Sequence, residues 1–452
     1  MKRDVEIISG HIGRNMLRFT VPVILAGLLQ LFYNMADVMV VGRFAGKEAL
    51  AAVGSTGSLT NLFVTLFVGL SSGASVCVAQ RIGADDRDGI EKAVHTAIGL
   101  SVVGGLFICF SGLLLSKRML IWMDAPANVL DEAALYMKIL FLGMPFNLLY
   151  NFGSGILRAS GDTKHPLVFL AISGAVNVVL NLFLVIGFHM GAAGVGIATA
   201  VSQVLSAMMV LWFLARRNPV CKLCFKKIRI HLSYLVYILK IGIPAGLQGM
   251  IFSLSNVLIQ SSVNSFGDIV VAGNSSAANI GDLAFIAMNA VHQTMIAFVG
   301  QNVGAKKWDR LKKIIYTGCF QVTVLGVACS SVIAMFGHPL LALYTPGEEE
   351  VISYGLLRLK YILPLYFACG LMDVLCASQR GMGTSVVPMI ASVLGVCGIR
   401  IAWIFTVFSS FRTLEVLYLS YPVSWALTAI VQVIFCIMVY KNLIKKEKRV
   451  YA

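Results

Sequence analysis

Charge is scarce in this chain. Only 13% of its 452 residues are Asp, Glu, Lys or Arg, while 58% are hydrophobic. Soluble domains carry about 25% charged residues, so a soluble globular domain is excluded. Acids are the scarcer sign, 21 against 36 Lys and Arg, for a net charge of +15. No stretch has the G-x-x-x-x-G-K-[ST] spacing of a phosphate loop. "AGVGIATAVSQ" is glycine-rich but lies inside an apolar run, so no ATP-binding module is read. No HExxH, paired aspartates or Ser/His dyad marks an intramembrane enzyme; His292 and Asp373 are isolated fragments. No small-residue cleavage pattern follows the polar start "MKRDVEIISGHIGRNMLR", so the first apolar run is expected to stay as a span. Most of the ten cysteines fall in apolar runs, which excludes a secreted disulfide framework. "CKLC" (Cys221, Cys224) has no second pair and is a weak metal signal.

Long uncharged runs are what the chain does have. A spanning helix needs about 20 apolar residues. Splitting the runs at Gly, Pro and charge clusters predicts twelve spans. Their cores are 17–41, 51–79, 93–115, 135–157, 167–187, 192–214, 238–264, 277–301, 314–336, 354–376, 387–408 and 417–440. The runs are too long for the alternating strands of an outer-membrane barrel. Basic residues follow the loops. The termini and even-numbered loops hold 26 of the 36, while the odd loops hold Arg43, Lys47, Lys117, Arg118 and Arg412. This bias predicts a cell-membrane protein with both termini and the 216–231 loop cytoplasmic. Attraction to anionic lipid accounts for the basic balance, and its position argues against nucleic acid.

The chain repeats itself. "AQRIGADDRDGIEKAV" (79–94) matches "GQNVGAKKWDRLKKII" (300–315), pairing Gln80 with Gln301 and Gly83 with Gly304. "VPVILAG" matches "IPAGLQG", pairing Pro22 with Pro244, and "RASGDTKHP" matches "RGMGTSVVP", pairing Arg158 with Arg380. The offsets are 221, 222 and 222, too regular for chance likeness between membrane helices. The expected domains are residues 1–215, a basic linker 216–234, and 235–452. Six spans per half is an even number, so both halves enter from one side as a parallel repeat. The expected fold class is all-α integral membrane: twelve transmembrane helices as two homologous six-helix bundles around a central cleft. This is a transporter's organisation, with substrate sites near the midplane and alternating access of the two lobes.

Polar residues inside the spans mark candidate sites. Gln30, Asn34 and Asp37 share one helical face of the first span. Asn147 and Asn151 do so in the fourth, and Asn177 and Asn181 in the fifth. The seventh carries Gln248, Asn256 and Gln260, the eighth Asn289, the tenth Asp373 and the eleventh Arg400. Single amides often serve as packing glue worth about 0.6 kcal/mol, but stripes on several helices point to a wet cavity. An intramembrane acid such as Asp37 reads as a proton relay, ion site or cation-binding group. "GLSSG" (69–73) reads as a helix-packing contact.

Stretches from residue 20 to about 440 resemble the multidrug and toxic compound extrusion (MATE) family. They include "PVILAGLLQLFYNMADVMVVGRFAGKEALAAVG", "ILRASGDTKHP", "QNVGAKKWDRLKK" and "LCASQRGMGTSVVPM". The resemblance implies two six-helix lobes and export of amphipathic, often cationic compounds driven by inward H⁺ or Na⁺. It implies a coupling role for Asp37, with Asn177 beside it. Asn181 is a departure, since some proton-coupled members have an Asp there; Asp373 falls where some members carry an acid on that helix.

The expected function is therefore a secondary antiporter for cationic organic compounds, not an enzyme. Asp37, Asn34, Asn177 and Asn181 would form the cation-coupling set, with Na⁺ at Asp37 the one metal considered. Gln30, Tyr33, Asn147, Asn151, Gln248, Asn256, Gln260, Met288, Asn289 and Asp373 would receive substrate. No cofactor beyond H⁺ or Na⁺ is expected; the partners are a small organic substrate and membrane lipid around a monomer. A lipid-linked saccharide flippase is the rival, disfavoured because Arg400 is the one clear cation for its cavity.

Overall fold

The computed structural model describes residues 5–122 and 129–450; for Lys47, Glu48, Leu50, Ala51, Ser55, Ser58, Leu59 and Val450 it describes the backbone alone. Lys2 and Arg3, counted among the basic residues, lie outside the described residues, as does the Lys47 side chain.

The chain is all-helical among the described residues, with twelve helices long and apolar enough to cross a membrane. They are α1 (Ile12–Ala45), α2 (Gly46–Gly83), α3 (Arg87–Trp122), α4 (Leu130–Ala159), α5 (Lys164–Gly187), α6 (Gly191–Arg216), α7 (Leu232–Asn264), α8 (Asp268–Gly304), α9 (Trp308–Tyr344), α10 (Glu349–Gly381), α11 (Val386–Phe408) and α12 (Leu414–Val450). Each expected core lies inside one of them. The helices outrun the apolar cores because Lys and Glu are good helix formers; α12 continues through "KNLIKKEKRV" past its last apolar turn. Pro364 sits in a 3₁₀ turn that interrupts α10 at Leu363–Leu365, where a proline removes a helix hydrogen bond.

The repeat is written into the backbone. Left-handed residues recur in pairs: Gly46 and Gly267 (φ 89° and 98°), Asp85 and Lys306 (52° and 54°), Gly161 and Gly383 (93° and 89°). Asp85 and Lys306 have side chains, yet both adopt a conformation that favours glycine, two residues past matched helix ends at Gly83 and Gly304.

The described chain falls into two compact units. The first takes residues 5–6 and Val21–Gly246, the second Ile7–Thr20 and the chain from Leu247 on. In the first, α4 packs against α2, α3 and α6, and α5 lies on α6. In the second, α10 packs against α8, α9 and α12 in the same pattern. Small residues set the spacing, as expected where helices must approach closely without a hydrophobic driving force. Gly69 and Gly73 of α2 face Gly242 and Gly246 of α7: a methyl on Gly69 would come 2.2 Å from the Gly246 nitrogen, and one on Gly73 2.3 Å from the Ile238 carbonyl oxygen. "GLSSG" is thus a packing contact. The segment after α6 is also packed, with Cys221 and Leu223 buried in the first unit's core. Cys224 is exposed, and among the described residues no cluster of three His, Cys, Asp or Glu could hold a metal.

Candidate functional site

In the first unit, α1, α4, α5 and α6 line a partly open cavity of about 90 Å³, large and polar enough to admit water. Its walls include Gln30, Tyr33, Asn34, Asp37, Asn147 and Asn177. The i, i+4, i+7 spacing of Gln30, Asn34 and Asp37 presents all three from one face of α1. Gln30 Nε2 donates to Asn34 Oδ1 at 3.2 Å. On α4, Asn151 Nδ2 donates to Asn147 Oδ1 at 2.8 Å and to its carbonyl at 2.9 Å, standing one turn behind it. Tyr33 packs against α5, where its hydroxyl donates to the Ala171 carbonyl at 3.1 Å. It fits because residue 174 is glycine: a methyl there would come 1.8 Å from the ring.

Asp37 is half-buried and held by two helices. Asn181 Nδ2 of α5 donates to Asp37 Oδ1. Thr199 Oγ1 of α6 donates to Asp37 Oδ2 at 3.5 Å. Behind them, Asn181 Nδ2 also reaches Asn177 Oδ1 (3.3 Å), and Asn177 Nδ2 donates to Thr199 (3.4 Å). Asn177 and Asn181 are 4% and 0% exposed. Both helices that carry the Asp37–Asn181 pair widen into a π turn just beyond it, at Val41–Ala45 and Phe183–Gly187, and the two π turns are neighbours. Such turns in α-helices recur at functional sites.

The site is rich in oxygen, which suits a hard cation. Asn181 Oδ1 is buried without a hydrogen-bond partner. An amide is both donor and acceptor. Turned about its last bond, Asn181 would offer that oxygen to a protonated Asp37 or to a bound cation, where it now offers an N–H to the carboxylate.

In the second unit the expected residues are divided among separate hydrogen-bonded groups. Gln248 is 4% exposed, and its Oε1 accepts from Arg380 Nη2 at 2.8 Å and from Cys376 Sγ at 3.6 Å. Asp373 pairs with His292, whose Nδ1 is 3.4 Å from Asp373 Oδ2 and 3.1 Å from its carbonyl oxygen. Gln260 accepts from Asn274 at 3.0 Å and donates to Asn264 at 2.9 Å. Asn256 is exposed and accepts from Arg400 Nη1 at 3.3 Å. Asn289 is half-buried. Met288, expected at a substrate surface, is 1% exposed instead. Its sulfur lies against Gly370, where a methyl would come within 2.6 Å, so it fills a gap that the glycine leaves.

Sequence reasoning missed the α6 wall of the cavity: Thr199, Ser202, Gln203 and Ser206. Their i, i+3, i+4, i+7 spacing is a polar helical face and could have been read from "TAVSQVLS". It also missed Arg358, which donates to Asn274 Oδ1 at 2.6 Å.

Comparison with known proteins agrees with this architecture. The MatE family model matches residues 22–183 and 244–406, two segments whose starts are 222 apart. The chain is 28% identical over 449 residues to "Probable multidrug resistance protein YoeA" of Bacillus subtilis, covering 97% of this chain and 95% of that one. It is 21% identical to "Multidrug export protein MepA" of Staphylococcus aureus, covering 83% and 84%. Among solved structures, "Crystal structure of MATE P26A mutant" superposes with a TM-score of 0.92 at 21% identity, covering 98% of this chain and 100% of that one.

Proposed function

The chain belongs to the MatE family, and from that premise we propose that it is a secondary antiporter exporting amphipathic cationic compounds in exchange for H⁺ or Na⁺. The observation that carries this reading is a carboxylate inside a membrane span, held by Asn181 and Thr199 at the edge of a polar cavity. An acid placed at such a cost in hydrocarbon calls for a function. The relatives' names, multidrug resistance and multidrug export, support the export role.

The mechanism follows from one charge serving two cations. An ionised Asp37 attracts either the inward ion or a positively charged compound. Once one neutralises it, the other is no longer held, so the two fluxes are exchanged rather than added. Asn181 cannot release a proton, so a relay of two carboxylates is not used. Its amide can serve both states of Asp37 by presenting N–H to the anion and Oδ1 to the neutral acid or cation. The two homologous halves would then alternate access to opposite sides of the cell membrane, in a monomer with both termini cytoplasmic.

The experiment is transport by Asp37→Asn in proteoliposomes with pH and Na⁺ gradients imposed separately. Loss of gradient-driven efflux is expected, with the wild type responding to one gradient. Efflux at the wild-type rate in the variant would sink the coupling role.

A further inference from the structure

The half-buried Arg358 and the buried Arg400 lie inside the second unit with no ion pair to a carboxylate among the described residues, and unlike Arg380, which is spent on Gln248, they meet at one aromatic ring. Arg400 of α11 is 4% exposed. Its Cζ sits 4.2 Å from the ring centre of Tyr421 and 5.6 Å from that of Trp425, both on α12. Arg358 of α10 approaches the same Tyr421 ring at 5.7 Å. An arginine has five N–H donors. Arg400 spends Nε on Ser424 at 3.1 Å and Nη1 on Asn256 at 3.3 Å. Arg358 spends Nη1 on the carbonyl and side chain of Asn274. Neither Nη2 has a hydrogen-bond partner, and neither is among the enclosed polar atoms. Asp282 interacts electrostatically with Arg358 but is exposed and lies beyond ion-pair distance.

A buried guanidinium is normally matched by a carboxylate, because neutral acceptors and ring faces compensate its lost hydration only in part. Here two like charges approach one aromatic ring and keep free donors. The planar fork of arginine fits a carboxylate with two parallel hydrogen bonds. The half-buried Tyr421 ring and the exposed Asn256 leave that edge approachable.

We propose that Arg358 and Arg400 bind the carboxylate of an amphipathic substrate. This rests on the export reading above and narrows its substrate class to compounds carrying an acidic group beside their cationic amine. The bound anion relieves the repulsion between the two arginines, and Tyr421 receives the apolar body.

The test is equilibrium binding of Nε-dansyl-lysine and of its methyl ester to the purified full chain in detergent, read by fluorescence. The wild type is expected to bind the acid about tenfold more tightly than the ester, the low end for a charge-assisted hydrogen-bonded contact. In Arg358→Gln, the less buried site, the ratio falls below about twofold with ester affinity unchanged, since the loss is of one such contact. Arg400→Lys keeps the charge but loses the fork, and lowers the ratio without unfolding the unit. A ratio near one in the wild type, binding of neither compound, or an unchanged ratio in both variants overturns the proposal. Displacement of the dye by phosphatidic acid but not by benzoate would assign the arginines to a lipid phosphate and overturn it too. Asp37→Asn separates the two readings: it loses coupled transport yet keeps the acid-to-ester ratio.

Discussion

Replacing Gly174 by alanine places a methyl inside the ring of Tyr33. The structure puts the new carbon 1.8 Å from Tyr33 Cε2 and 2.0 Å from Cζ. Ordinary contact needs about 3.5 Å or more between carbons, so the ring must withdraw by roughly 1.7 Å. That withdrawal breaks the hydrogen bond from Tyr33 to the Ala171 carbonyl. Overpacking of this kind costs about 1–3 kcal/mol, and the lost hydrogen bond adds about 0.5–1.5 kcal/mol. Tyr33 also lines the cavity beside Asp37, so efflux should fall along with stability. The assay is thermal melting in detergent with transport measured in parallel. The control is Tyr33→Leu in the same chain, which removes the ring that the methyl meets. A double-mutant cycle should therefore recover most of the loss, as coupled neighbours do. If Gly174→Ala melts and transports as the wild type does, Tyr33 of α1 does not pack against Gly174 of α5.

Two further outcomes follow from the same helices. Asn181→Leu removes the amide that donates to Asp37, and with it a charge-assisted contact of about 1.5–3 kcal/mol that favours the ionised carboxylate over the protonated one; coupling-ion affinity in a proteoliposome titration should shift by at least about tenfold, toward tighter binding where the ion is H⁺, and an unchanged affinity would remove Asn181 from the site. Gly69→Leu drives a side chain into the Gly246 backbone, 2.2 Å from the first added carbon. It should lower the melting temperature far more than Gly57→Leu, where nothing lies within 4 Å of an added methyl.

Much of this was legible in the chain itself, residue by residue. Twelve apolar runs of spanning length could only be helices, because hydrocarbon offers no partner for an open backbone. The pairs Gly83 with Gly304 and Gly161 with Gly383 announced the repeat, and the same positions carry matched helix ends and left-handed turns. Gln30, Asn34 and Asp37 fall on one face by the helical period alone. The α6 wall is equally written in its spacing, where a polar face follows a glycine-rich start.

What the sequence determined, then, was everything set along one helix: length, face, charge and duplication. These depend on period and hydropathy, which are local. What only the tertiary structure decided was which faces meet. Asn181 touches Asp37 from 144 positions away, and Arg358 and Arg400 share the ring of Tyr421 from two different helices. Gln248 is bound to Arg380 across 132 positions, and Met288 is sealed beside Gly370 rather than left to a ligand. Such choices are made by packing between helices, through glycine gaps and buried amides whose partners no local pattern names. They settle which polar residues are free to act and which are spent on holding the fold.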